Sequence, residues 1–556
     1  MKHTLFFSLI LLAMSAILAP PGHAATAEDL NSAMTRHLNC FPLKLVTLNN
    51  QEISVNNEEL CLAAIYSATG MKPLWVSANG PDKKAAIILD FLANAGAEGL
   101  RPDDYNVDII KALWLSRDPD HLAQLDTQLT LNLVKYAHDV SHGRIIPYTI
   151  DPSLFAEAGD EHFKPALIIQ QALNTPDLGA YIAGLPPSHE FYTRLREALK
   201  YYTDLAGKET WEPIAEGTTL HPGDRDERIP QIRKRLDQTD ALQQAAEDNP
   251  IYDDRLVSAI KQFQKQMQLE EDGIIGKNTL AALNTGPEEI RRKIILNMTR
   301  WRWQEHELGT RYVMVNIANY DLRAVQNNQV QMEMAVIVGK LQHQTPVFSH
   351  HIQYLDFNPF WNIPPSIARN EELPALRNDP YYLVNRHVRL FSNWGTESVE
   401  LDSTRIDWQS VTPRQMNRYK LRQDPGPWNA LGQIKFVFPN QYDVYLHDTP
   451  SQDLFALKTR NFSHGCIRVS RPLALARFVL AEEPQDWSEE KIRAIVSVNN
   501  RKIVKLTKPL PIHITYQTVW VDNQGIIRFN NDIYGRDTKL AQILFPPPLV
   551  ATGSAK

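Results

Sequence analysis

The sequence predicts a multidomain α+β protein: a helical domain first, a small three-helix unit next, and a mainly β domain with an inserted lid subdomain last. Three observations carry this expectation. A chain of 556 residues is too long for one core, so length alone points to several domains. Apolar residues recur at three-to-four spacing through the first half, and the period changes to two from about residue 310. Inside the β part, a stretch at about 360–428 is rich in Pro, Trp, Asn and Arg and carries few regular signals, as a lid or binding loop does.

The chain starts "MKHTLFFSLILLAMSAILAPPGHAATAEDL". Lys2 gives a positive start, and Leu5 to Leu18 form an apolar run too short for a comfortable membrane span. Pro20, Pro21, Gly22 and Ala24 then look like a cleavage region. Residues 1–24 are therefore expected to be a signal peptide and the mature protein to be periplasmic; the alternative is an uncleaved inner-membrane anchor. The composition is globular, with 43% hydrophobic and 22% charged residues. The net charge is −6 with no basic stripe, which argues against nucleic acid as a partner.

Residues 25–215 read as helical. "DKKAAIILDFLANAGAEGL" and "DTQLTLNLVKYAHDVSHGRI" place apolar residues on one helical face. In the second, Leu129, Leu131, Leu133, Val134 and Ala137 lead up to Val140. Gly143 can then end the helix in a left-handed conformation, and Pro147 follows. Residues 221–285 form the next unit. Ile229, Ile232 and Leu236 mark one helix, and Leu256, Ile260, Phe263 and Met267 a second. The turn Asp272-Gly273-Ile274-Ile275-Gly276 leads to a third in "KNTLAALN". From 310 to 510, "RYVMVNIANYDLRAV", "MEMAVIVGK" and "GQIKFVFPNQYDVYLHDT" alternate as strands do. "RPLALARFVLAEE" reads as a helix. Residues 511–556 read as a C-terminal tail.

The chemistry concentrates in "FSHGCIRVS", residues 462–470. Of three cysteines, Cys40 and Cys61 lie in one segment of an exported chain and are expected to pair. Cys466 is left unpaired, among Ser, His, Gly and Arg rather than aliphatic residues. A thiol attacks a carbonyl as a thiolate, and it needs a base or positive charge beside it. His447, nineteen residues upstream at a strand end, is the candidate base. Gly465 permits a tight turn that aims the Cys466 amide at an oxyanion. Ser463, His464 and Arg468 supply polar contacts. A similar stretch, "VSHGRIIPY" at 140–148, has Arg144 where the nucleophile would stand, and reads as a helix terminus. His343, His350 and His351 cluster without any paired-Cys or His-Glu-x-x-His spacing, so no metal site is expected.

Two resemblances sharpen this. "AIKQFQKQMQL", "DGIIG" and "TLAALN" resemble the three-helix peptidoglycan-binding module. His447 with Ser463-His464-Gly465-Cys466-Ile467-Arg468 resembles the signature of the L,D-transpeptidases, whose catalytic domain is YkuD-like. "RWRW" at 300–303, "NPFWNIPPSIAR" at 358–369, "GPWNALGQIKFVFPN" at 426–440 and "YLHDTP" at 445–450 are similar to the large periplasmic YcbB-like type. That type has a helical scaffold domain and a lid inserted in the catalytic domain. Many relatives outside it carry Asn at the place of Arg468.

The resemblance implies Cys466 as nucleophile and His447 as general base, with the Tyr445 region helping to hold the oxyanion. It implies peptidoglycan stem peptides and glycan as partners, other cell-wall synthases as a further class, and no cofactor. The implied reaction is a 3→3 cross-link through a cysteine acyl-enzyme with release of D-alanine, on an enzyme that carbapenems would acylate. A cysteine wall hydrolase and a non-catalytic wall-binding scaffold are the alternatives. Trp361, Trp394 and Trp428 are lid candidates. The third triad member stays open between Asp448 and a backbone carbonyl, because adjacent strand residues face opposite ways.

Overall fold

The computed structural model describes residues 26–38, 62–67, 69–155, 163–208, 211–238 and 248–546. The expected leader at 1–24, and Cys40 and Cys61, lie outside the described residues.

Helix Pro119–Ser141 is the spine of the first unit. Asp118 caps it by accepting the Asp120 and His121 amides, and Pro119 occupies its first position, where a missing N–H costs nothing. Helices Ala27–Leu38, Lys83–Ala93, Val107–Leu113 and Pro165–Asn174 pack around it, so its side chains are buried on nearly every side. Asp126 is fully buried within this core. Its carboxylate accepts the backbone N–H groups of Leu74, Trp75 and Val76 and the Tyr66 hydroxyl. Burial raises its pKa to about 6 against the pull of those donors.

Helix Glu190–Lys208 packs on helix Pro287–Arg302 and also reaches the first unit, where the Tyr192 hydroxyl donates to Glu98. Tyr192, Leu195 and Leu199 meet Ile294, Met298 and Trp301 on helix Pro287–Arg302. Helices Ile229–Gln238, Asp254–Gln266 and Lys277–Leu283 form the small unit around a separate core. Gln264 stitches its turn: it accepts the Gly273 N–H and donates to Asp272 and the Ile274 carbonyl. Gly273 has φ +72°, a conformation that favours glycine.

The β domain has nine strands in one sheet. In chain order these are β1 (Arg311–Asn316), β2 (Asp321–Gln326), β3 (Gln329–Gly339), β4 (Phe348–Phe357), β5 (Ile434–Val437), β6 (Leu446–His447), β7 (Asn461–Ser463), β8 (Ile467–Val469) and β9 (Lys502–Thr515). The order across the sheet is β7-β3-β8-β6-β5-β4-β9-β1-β2, and β2 also pairs with β3. The sheet therefore closes on itself, with β7 attached beside β3. Closure removes the open edges a sheet would otherwise expose. Val313, Val336, Leu355, Phe436, Ile467 and Ile512 are fully buried in its core.

Two expectations are corrected. The stretch 511–556 is not a tail over its described part. β9 runs across the expected boundary, pairing with β4 and β1. A hairpin, Val519–Val521 with Ile527–Phe529, and helix Arg536–Leu544 follow. Pro509 and Pro511 hid this strand, since proline interrupts a ladder; Pro509 falls at an irregularity in register between Lys505 and Leu510, and Pro511 lies opposite His351 in the ladder that resumes. The insert at 360–428 is also more regular than its composition suggested. It holds a four-stranded sheet, Trp361–Asn362, Lys420–Gln423, Val388–Phe391 and Glu400–Leu401. Its core includes Ile363, Leu376, Leu390, Trp408 and Leu421. Strands of two to four residues carry too few alternations to read.

Candidate active site

β6 and β8 run parallel, with Leu446 opposite Ile467 and His447 opposite Arg468. β5 runs antiparallel on the other side of β6, with Lys435 opposite His447. Side chains alternate along a strand. Tyr445, His447, Lys435 and Arg468 therefore share one face, and Cys466, two residues before Arg468, joins them. Asp448 turns the other way. Its carboxylate accepts the Gln433 and Thr449 amides.

The Cys466 thiol is half-buried and its sulfur lies 3.7 Å from the Asp443 carbonyl oxygen. Burial pushes the thiol pKa up, while the Tyr445 amide and hydroxyl and the Lys435 and Arg468 cations pull it down. Lys435 Nζ sits 3.6 Å from the centre of the Tyr445 ring, and burial lowers its own pKa. Arg468 is partly buried, and among the described residues its Nε has no hydrogen-bond partner.

His447 is 4% exposed. Its Nδ1 donates to the Asp448 carbonyl at 2.6 Å, because a carbonyl can only accept. Burial, reinforced by the Arg468 cation, lowers its pKa to about 3. The imidazole is thus neutral. The Tyr445 ring stands 5.7 Å from it, edge-on. Among the described residues no hydrogen bond joins the imidazole to the Cys466 thiol. The hydrogen-bond partner of His447 Nδ1 is the Asp448 carbonyl, not its carboxylate.

The SHGC turn is held from inside. Ser463 Oγ donates to the Cys466 carbonyl at 2.5 Å and accepts the Gly465 N–H at 3.1 Å. Gly465 has φ +113°, a conformation that side-chain-bearing residues rarely adopt. The Gly465 amide is therefore occupied, while among the described residues the Cys466 N–H makes no hydrogen bond. His464 does not face the thiol. Its Nε2 bonds the Glu371 carboxylate, which belongs to the insert, and lies 3.2 Å from Lys340 Nζ. His343 packs against its ring at 5.0 Å.

Among the described residues no ring contact or hydrogen bond joins the lid candidates to Cys466 or His447. Trp361 packs on the insert's core. Trp428 is 42% exposed and stacks on His387 at 3.8 Å. Trp394 is 43% exposed. The second SHG stretch is a helix end: His142 caps helix Pro119–Ser141, Gly143 has φ +85°, and Arg144 pairs with Asp104 at 2.8 Å. Sequence reasoning missed Lys435, Asp443, Lys340 and Glu371. Only Lys435 left a signal, as the one charged residue in the apolar run "QIKFVF". No group of three His, Cys, Asp or Glu side chains arranged to hold a metal occurs among the described residues.

Residues 310–499 match the family model described as "L,D-transpeptidase catalytic domain" (YkuD). That stretch of the chain is similar to the catalytic domain of the L,D-transpeptidases. Ahead of it, residues 61–199 match a scaffold domain and residues 225–283 a "Putative peptidoglycan binding domain". A Haemophilus influenzae protein named "Putative L,D-transpeptidase" is 32% identical over 228 residues, covering 41% of this chain. The match spans 45% of that relative's length. Solved structures similar to the chain include an L,D-transpeptidase from Mycobacterium smegmatis, at 13% identity over 37% of this chain and 58% of that one, TM-score 0.18. Another is the L,D-transpeptidase from Stackebrandtia nassauensis, at 14% identity over 54% of this chain and 97% of that one, TM-score 0.21. Within residues 310–499, β6 carries His447, and the turn between β7 and β8 carries Cys466. The insert meets that turn through Glu371. No helix among the described residues is long and apolar enough to cross a membrane.

Proposed function

We propose that the protein is a peptidoglycan L,D-transpeptidase that forms 3→3 cross-links outside the cytoplasm, in the periplasm. The observation that supports this best is the free Cys466 thiol on one strand face with a neutral His447, Lys435, Arg468 and Tyr445.

The Cys466 sulfur attacks the carbonyl carbon of the third residue of a tetrapeptide stem. The thiol proton passes to His447 Nε2, which is unprotonated while Nδ1 donates to Asp448. The new oxyanion is met by the Cys466 N–H. Collapse breaks the amide bond, and the departing amine of D-alanine takes the proton from His447. A thioester remains. The side-chain amine of a second stem then attacks it, loses a proton to His447, and displaces the thiolate, leaving a new amide between two third residues. Lys435 and Arg468 stabilise the anionic sulfur at both steps. The small three-helix domain holds the glycan or stem near the site.

The test is incubation with purified tetrapeptide stems, followed by mass spectrometry. Free D-alanine, a thioester on Cys466 and a cross-linked dimer are expected. Tripeptide without dimer would make the protein a cysteine hydrolase, and no thioester would make it a binding scaffold.

A further inference from the structure

β3 and β8 pair as far as Ile337 and Arg468 and then part, because β3 turns to pair with β7 at Val338 and Gly339. The gap between them is filled by the hydroxyl of Thr345, a residue with no exposed surface. Thr345 Oγ1 accepts the Gly339 N–H at 2.9 Å and donates to the Gly465 carbonyl at 2.9 Å. The roles are fixed. An amide can only donate and a carbonyl only accept, so the single hydroxyl proton must point at Gly465.

The Gly465 carbonyl belongs to the peptide unit whose N–H is that of Cys466. A trans peptide is planar, so its N–H points opposite to its C=O. We propose that Thr345 is a positioning residue for the reaction: its hydroxyl holds the Gly465–Cys466 peptide with the Cys466 N–H turned toward the developing oxyanion. Donation to the carbonyl also polarises that peptide and strengthens its N–H as a donor. This rests on the reading of Cys466 as the acylated nucleophile.

Thr345 is itself fixed by the C-terminal segment. The Tyr534 hydroxyl donates to the Gly339 carbonyl at 2.5 Å and accepts the Thr345 N–H at 3.2 Å. Next to it, the Arg536 guanidinium reaches the Thr345 carbonyl at 3.3 Å, Ser153 Oγ at 2.6 Å and Asp151 at 3.3 Å. Gly339 allows the tight approach, since a Cβ there would lie 1.9 Å from the His343 carbonyl oxygen. The 339–345 loop is therefore gripped between the β domain, the segment after β9 and the first helical unit.

The experiment compares two reactions of the same thiol in the full chain. Acylation by a carbapenem forms an S–C bond and breaks the lactam C–N bond, with the thiol proton ending on the ring nitrogen; it passes through an oxyanion. Alkylation by iodoacetamide expels iodide and develops none. Thr345→Val should slow acylation about tenfold to hundredfold, at or below the 10²–10³ lost when an oxyanion donor is removed outright. It should leave alkylation within about threefold, and Thr345→Ser should restore acylation.

Equal falls in both reactions, no fall in acylation, or failure of serine to rescue would each overturn the proposal. If Thr345→Val does not fold, as judged by circular dichroism, Tyr534→Phe carries the test: a selective fall in acylation supports the proposal, and equal falls overturn it. A wild-type protein that is alkylated but never acylated would instead sink the reading of Cys466.

Discussion

The Glu371 carboxylate bonds the His464 imidazole, so the insert touches the loop that carries Cys466 two residues on. Lys340, at the end of β3, closes the group, 3.9 Å from Glu371. The insert thus meets the motif through a polar contact.

Glu371→Ala should loosen the insert without unfolding it, because the insert has its own core. A looser insert admits water to the acyl-enzyme. The expected outcome is more hydrolysed tripeptide and less cross-linked dimer, read by chromatography of stem-peptide products, with thermal stability near the wild type. An unchanged product ratio would remove this contact from the mechanism.

Cys466→Ala and Cys466→Ser should abolish covalent adduct formation with a carbapenem while the fold is kept. Serine lacks the accessible anion that makes a thiol nucleophilic. Intact-protein mass spectrometry checks this, and an adduct mapped to another residue would refute the assignment.

His447 should leave an unusual pH signature. With an imidazole pKa near 3, the base stays neutral through the weakly acidic range. Acylation should then be nearly flat from pH 7.5 down to pH 5. An ordinary histidine would be only about 3% neutral at pH 5 and would lose rate through pH 6.5. His447→Ala should be slower by about 10²–10⁴ at neutral pH. It should gain rate about tenfold per pH unit as the thiol ionises, since burial keeps that ionisation above its ordinary range. His142→Ala, at the helix end, should react as the wild type does. A wild-type inflection near 6.5, or equal losses in the two variants, would contradict this account.

Asp126→Ala should destabilise the first helical unit by about 3 kcal/mol or more, because three backbone donors and a tyrosine hydroxyl lose a charged acceptor inside a dry core. Thermal unfolding followed by circular dichroism measures it. A change below 1 kcal/mol would show that water replaces the carboxylate, about the value of a single neutral hydrogen bond.

The sequence by itself determined the parts whose signal is local. Helix Pro119–Ser141 was legible because its apolar spacing repeats over several turns and ends at Gly143. β1 to β3 were legible because each keeps strand-forming apolar residues over a run of six or more. Cys466, Gly465 and Ser463 were legible because one short turn holds them all. Tertiary structure decided the rest. β9 was masked by its prolines and the insert's strands by their shortness. Nothing local tells which neighbours the apolar stripe of helix Glu190–Lys208 will meet. Lys435, Thr345, Tyr534 and Glu371 come from four separate segments, and their roles depend on hydrogen bonds and charges that act over a few ångströms of space. Closing the sheet brings Thr345 to Gly465 across 120 residues of chain. No spacing rule records such a contact, because its geometry exists only after the strands between have found their partners.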